Sequence, residues 1–243
     1  MKSSSQVFSF REFHNDRFNT SFIRPKKKVD ASLLSLKNDV LVMVPISKYE
    51  DPEWMKNVYS DLNFVTICDK GDHRQFCDIT TNRTYNYQEL PKKTFDLFNH
   101  ICGNERQYKV IVKMDFDTFV DKSYLYEAFS FMIENHSNRI YFGDPMGQTT
   151  ESKGTAMNGK IYAVTSNIIT DYCSCNTPEP GKGLEDMWFG QTVVECVKRR
   201  GYKPEEQIIY YHSKEDLIYH KRYRKNNIDL QAGRKIEKKT ITI

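Results

Sequence analysis

The strongest constraint on this chain is an alternation. Between residues 39 and 211, short apolar runs take turns with stretches of helical spacing. The runs DVLVMVP (39–45), FVTIC (64–68), YKVIVKM (108–114), RIYFG (139–143), KIYAVT (160–165) and QIIYY (207–211) have strand length and strand composition. Between them, DPEWMKNVYSDL (51–62) opens on Asp-Pro and spaces Trp54, Val58 and Leu62 as a helix does. YQELPKKTFDLFNHICG (87–103) carries Phe95, Phe98 and Ile101 and stops at Gly103. KSYLYEAFSFMIEN (122–135), NIITDYC (167–173) and LEDMWFGQTVVECVKRRG (184–201) complete the series. Strands alternating with helices predict an α/β domain with a mostly parallel central sheet flanked by helices. Its expected limits are 38–222, between a basic, flexible arm (1–37) and a basic tail (223–243).

With 39% hydrophobic residues, 15 Tyr and 15 Phe among 243 residues, the chain can bury a proper core. The net charge of +4 is too mild to imply a nucleic-acid partner, and no nucleic-acid-reading motif is present. Basic residues cluster in RPKKK (24–28), KRYRK (221–225) and RKIEKK (234–239). The plain reading of such runs is solvated ends; the functional one is contact with phosphate or an anionic membrane surface. Six cysteines, at 68, 77, 102, 173, 175 and 196, contain no Cys-x-x-Cys pair. They read as mostly reduced thiols of a non-oxidising compartment, with one or two disulfides if the protein is secreted. No apolar run has the length of a signal peptide or membrane span, so the expected location is cytoplasmic. The alternative is a Golgi lumenal protein whose anchor has been removed.

The apolar run at 108–114 leads directly into two carboxylates, Asp115 and Asp117. Residues i and i+2 of a strand share a face, so both project together past the strand end. In open α/β sheets that is where ligands bind. Two carboxylates gathered there call for compensation, which a hard divalent cation on phosphate oxygens supplies. A turn with two exposed aspartates is the plain alternative. An Asp-x-Asp also opens haloacid-dehalogenase-like phosphatases, but there it lies near the domain start and precedes Gly-Thr, unlike the mid-chain DFDTFVD here.

More of the chain bears on the choice. VIVKMDFDTFVD (110–121) resembles the Lys-x-Asp-Asp-Asp-x-Phe-Val core of the β-1,3-galactosyltransferase and fringe-like enzymes, glycosyltransferase family 31, with Phe116 replacing the middle Asp. LPKKTFDLFNHI (90–101) is similar to the family's Leu-x-x-Lys-Thr helix, with Lys93-Thr94 in register. NGKIYAVTSNI (158–168), LEDMWFG (184–190) and YYHSKED (210–216) resemble its later motifs, in family order. The family's Arg-rich segment after the first strand has no counterpart, since SKYEDPEWMKNV (47–58) offers only Lys48 and Lys56.

The resemblance implies a single GT-A-like domain that transfers a hexose such as Gal or GlcNAc, with inversion, from a UDP-sugar to a hydroxyl of a saccharide or glycoprotein acceptor. A β-1,3 linkage and Mn²⁺ or Mg²⁺ go with it. Asp117 would bind the metal directly, Asp115 the ribose or a metal-bound water, and His212 would complete the coordination. Asp186 would be the base, with Glu185 as alternative or helper; acidic residues at a helix start also occur for dipole reasons alone. Lys113 would meet the diphosphate or its neighbouring aspartates, Lys93 and Thr94 would lie under the nucleotide, and Gly159 would permit close approach to the donor. Trp188 would stack on the acceptor or pack in the core. The loop 144–158 would close over the donor. Beside catalysis stands a binding module of the same fold that takes nucleotide-sugar or glycan without turnover.

Overall fold

The computed structural model describes residues 9–15, 18–24, 36–103, 107–146, 156–224, 227–232 and 237–242. The described residues open with two paired antiparallel strands, β1 (Ser9–Asn15) and β2 (Phe18–Arg24), and a single helical turn, α1 (Leu36–Asp39). The alternating segment then follows its expected order. It runs β3 (Val40–Pro45), α2 (Glu53–Val58), β4 (Asn63–Cys68), β5 (Ile79–Thr80), α3 (Leu90–Cys102), β6 (Val110–Met114) and β7 (Thr118–Val120). Next come α4 (Lys122–Glu134), β8 (Arg139–Pro145), β9 (Met157–Thr165), α5 (Ser166–Cys173), α6 (Glu185–Arg199), α7 (Pro204–Gln207) and β10 (Ile208–His212). Beyond them, β11 (Ile218–Arg224), β12 (Asn227–Ala232) and β13 (Glu237–Thr242) continue as strands past the expected domain end near 222.

Seven strands form the central sheet in the order β10-β8-β9-β6-β3-β4-β5. All pairings are parallel except those of β9, which runs against both β6 and β8. The predicted α/β class with a mostly parallel sheet is therefore the observed one. Alternation along β3 sorts its side chains. Val40, Val42 and Val44 enter a core with α2 and α4, while Leu41 and Met43 enter a second core with α3, α5 and α6. The same parity on β6 sends Ile111 and Lys113 toward α6.

Chain order reverses at β3. The first crossovers lead outward from β3 to β4 and β5, and the next strand, β6, lies on the opposite side of β3. A crevice outside the carboxyl ends of β3 and β6 is where such a sheet binds ligands. A second, antiparallel sheet, β13-β12-β11-β7, stands beside that crevice, because β7 follows Asp117 directly.

The cysteines correct the expectation of reduced thiols. All six are paired: Cys68 with Cys77, Cys102 with Cys173, and Cys175 with Cys196. The second bond joins the ends of α3 and α5, and the third ties the segment after α5 to α6. Both pairs meet only because those helices pack against one another, which spacing along the chain does not encode. Among the described residues, no helix is long and apolar enough to cross a membrane.

Candidate active site

The crevice at the β3/β6 reversal holds a cavity of about 380 Å³. One wall is the end of β3, at Pro45, Ile46 and Ser47; the facing wall is the end of β6, at Lys113, Asp115, Phe116 and Asp117. Asp69, Tyr85 and Lys93 close the side nearest β4, and Thr94 and Glu185 also line the space.

Asp115 and Asp117 both line the cavity, 38% and 49% exposed, but from a turn after β6 rather than from the strand whose parity suggested the pairing. The backbone holds the turn: Asp115 N–H donates to Lys160 O at 2.8 Å, and Thr118 N–H to Asp115 O at 3.1 Å. Lys113, 4% exposed, extends beneath them. Its ammonium donates to Asp115 Oδ1 at 2.5 Å, to the Gly159 carbonyl at 2.8 Å and to Glu185 Oε2 at 3.1 Å. Burial alone would lower the lysine pKa, but the carboxylates of Asp115 and Glu185 outweigh it and hold the pKa well above the ordinary value. Burial pushes Asp115 up to about 6 against the pull of Lys113, with the negative charges of Glu185 and Asp117 adding to the rise. At Asp117, burial works upward, but contact with the His220 imidazole leaves the carboxyl below its usual range.

The two acidic residues that open α6 are not equivalent. Glu185 is 7% exposed and has both oxygens engaged, Oε2 by Lys113 and Oε1 by the Tyr162 hydroxyl. Burial, then the Glu185 charge, raises the Tyr162 pKa far above that of a free phenol, so this hydroxyl stays a donor. Among the described residues, Asp186 accepts from backbone N–H groups, those of Gly159 at 3.1 Å and Met187 at 2.8 Å. Gly159 is the hinge of this packing. A Cβ there would stand 3.3 Å from Glu185 Oε2 and 3.4 Å from Asp186 Oδ2.

Lys93, buried on α3, donates to Ile46 O and to Asp69 Oδ1, each at 2.7 Å, and so ties together the ends of β3 and β4. Thr94 beside it is buried in the cavity wall. Trp188 is not part of that wall; it meets Phe95 edge-on at 6.2 Å and packs against the second core. His212 ends β10 opposite Gly143. A second histidine, His220, lies beside Asp117, with Nδ1 3.4 Å from its Oδ2. Antiparallel pairing of β11 with β7 sets His220 across from Thr118 and produces that contact. The expected closing loop 144–158 includes residues 147–155, which lie outside the described residues.

Sequence reasoning passed over Asp69 and His220. The signal for Asp69 is the one used for Asp115, an acidic residue directly after an apolar strand. For His220 nothing short of the β11–β7 register would have served. Among the described residues, one group of three potential metal ligands lies close together, Cys68, Asp72 and Cys77. Its two sulfurs are bonded to each other and are not available as thiolates.

No protein-family model matches the chain, and no curated protein matches it. Solved structures with a similar course of the chain include A197 from STIV, at 10% identity and TM-score 0.45, covering 84% of this chain and 93% of that one. A glycosyltransferase involved in the glycosylation of the major capsid of PBCV-1 aligns at 13% identity and TM-score 0.42, over 71% and 81%. S. aureus TarS aligns at 15% identity and TM-score 0.43, over 72% of this chain and 35% of that one. Likenesses at these scores carry no functional weight.

Proposed function

We propose that this protein is a glycosyltransferase that moves a hexose from a UDP-sugar to a saccharide hydroxyl with inversion, forming a β-1,3 bond. One observation carries the reading. Two carboxylates, Asp115 and Asp117, open together into a cavity at the point of a mostly parallel sheet where strand order reverses. A nucleoside diphosphate is the ligand that combines such a crevice with a need for paired carboxylates.

The donor chemistry of these side chains supports a divalent cation in this reading. Asp117 and Asp115, with the His220 imidazole in place of the expected His212, are oxygen and nitrogen donors suited to Mn²⁺ or Mg²⁺. Two carboxylates leave coordination positions for phosphate oxygens, the usual arrangement for such cations at nucleotides. When bound, the metal would neutralise charge developing on the departing diphosphate.

The chain itself supports the other half of the reaction. Glu185 rests on the buried Lys113 ammonium and the Tyr162 hydroxyl, whereas the described partners of Asp186 are neutral backbone N–H groups, so in this reading Glu185 is the positioning residue. Asp186 is the base in this reading and takes the proton of the acceptor hydroxyl as it attacks the anomeric carbon. The Gly159 N–H on Oδ2 aims that carboxylate. The three disulfides support an oxidising compartment over the cytoplasm.

The test is a screen of UDP-hexoses for Mn²⁺-dependent donor hydrolysis and for transfer to saccharides, repeated with Asp186→Asn. Turnover that disappears in the variant while UDP binding stays supports the reading. UDP binding without turnover in the unaltered protein would make it a binding module.

A further inference from the structure

A second depression, of about 530 Å³, adjoins the cavity of the two aspartates, and Phe116 lines both. We propose that this groove seats the acceptor as a neutral saccharide, with the Tyr49, Trp54 and Phe116 rings as its platform. The proposal rests on the glycosyltransferase reading and adds to it where the acceptor lies.

The lining suits a sugar in three respects. Three aromatic rings line it: Trp54 and Phe116, both half-buried, meet edge-on with centroids 6.1 Å apart, and Tyr49 is 85% exposed. Rings of this kind offer flat apolar faces to the C–H side of a pyranose at little entropic cost. Asp51, Glu53 and Asn57 add hydrogen-bonding groups around the aromatic floor, matching the many hydroxyl donors of a saccharide. None of the six lining residues is cationic, and two are carboxylates. The field of such a wall opposes a diphosphate, while a neutral polyol meets no such penalty and can donate its hydroxyls to the two carboxylates.

The groove is also held in shape before any ligand arrives. Arg74, gripped by Asp72 at 2.5 Å, donates to Ser47 O and Glu50 O, each at 2.8 Å. Ser47 N–H donates to Glu50 Oε2 at 2.7 Å, and Glu53 N–H to Asp51 Oδ1 at 2.9 Å. The Lys48 ammonium stands 5.0 Å from the Tyr49 ring centroid, on one face. A loop braced in this way presents Tyr49 with little ordering cost on binding. Phe116 lies between Asp115 and Asp117 in the chain, so a saccharide over its ring borders the donor cavity directly.

The test is saturation-transfer NMR on the full chain with millimolar lactose, maltose and N,N′-diacetylchitobiose, each alone and with UDP and Mn²⁺. Tyr49→Ala removes an exposed ring that supports no core contact, and Glu53→Gln keeps shape while removing charge. At least one disaccharide should bind, should keep its signal when UDP and Mn²⁺ are added, and should weaken about tenfold in Tyr49→Ala, as the loss of one ring contact implies. Binding by none of the three, or binding indifferent to both substitutions, would overturn the proposal. So would Tyr49→Ala weakening UDP instead, which would make the groove part of the nucleotide site. UDP binding measured in the same samples separates the two claims. If it persists without saccharide contact, only the groove is wrong; if it is absent, the glycosyltransferase reading fails first.

Discussion

Replacing Lys113 by Met removes a buried ammonium and keeps most of its stem. Glu185, 7% exposed, and Asp115 are then left facing each other without a cation between them. Breaking a buried ion pair by removing one partner costs about 3–5 kcal/mol. Asp115 is 38% exposed and can be rehydrated from the cavity, so the orphaned charge that matters is Glu185, and the lower end applies, about 3 kcal/mol. For a domain of this size that corresponds to a fall in Tm of roughly 6–12 °C. The loss should also depend on pH. Asp115 is already pushed up to about 6 with Lys113 beside it, and without the lysine its pKa rises further. A carboxyl with a raised folded-state pKa takes up a proton on folding, so its variant gains stability as pH falls through that pKa. The deficit of Lys113→Met should therefore be largest near pH 8 and shrink toward pH 5. Adding Glu185→Gln should recover part of it at neutral pH. Urea unfolding of the four proteins of the cycle, at several pH values, is the assay. A loss under about 1 kcal/mol with no pH trend would refute the claim that Lys113 balances these carboxylates.

Three further expectations follow from the same geometry. Gly159→Ala places a methyl 3.3–3.4 Å from Glu185 and Asp186, so transfer should drop about tenfold or more while UDP affinity and Tm change little. Equal loss of affinity and rate would argue against Gly159 as a support of the base. His220→Ala should weaken Mn²⁺-dependent UDP binding about tenfold, and His212→Ala much less; the reverse order in a binding titration would restore the histidine expected from sequence. Iodoacetamide applied to unfolded, unreduced protein should label no cysteine, and all six after reduction, as read by mass spectrometry; labelling before reduction would contradict the three disulfides.

Much of the framework was legible because it is written locally. The run VIVKM ends where β6 ends, but Asp115 and Asp117 reach the cavity from a turn after the strand, which strand parity does not describe. The Gly stop at 103 and the acidic start at 185 marked α3 and α6 correctly. Lys113 looked like an interruption of an apolar strand; parity with Ile111 turns it instead toward Glu185, a partner more than seventy residues away. What stayed hidden depends on long-range register. His220 reaches Asp117 only through the pairing of β11 with a three-residue strand, and β11 to β13 carry charged runs that read as a tail. The Cys102–Cys173 and Cys175–Cys196 disulfides likewise depend on which helices pack together, not on spacing.

The most direct measurement is a thermal-shift titration of UDP with and without Mn²⁺, on the unaltered protein and on Asp117→Ala. Ligand that binds the folded state raises Tm by mass action. A rise that needs Mn²⁺ and disappears in the variant is the predicted result. No shift at millimolar UDP with saturating Mn²⁺ would contradict a nucleoside-diphosphate site at the β3/β6 crevice, and with it the function proposed for this protein.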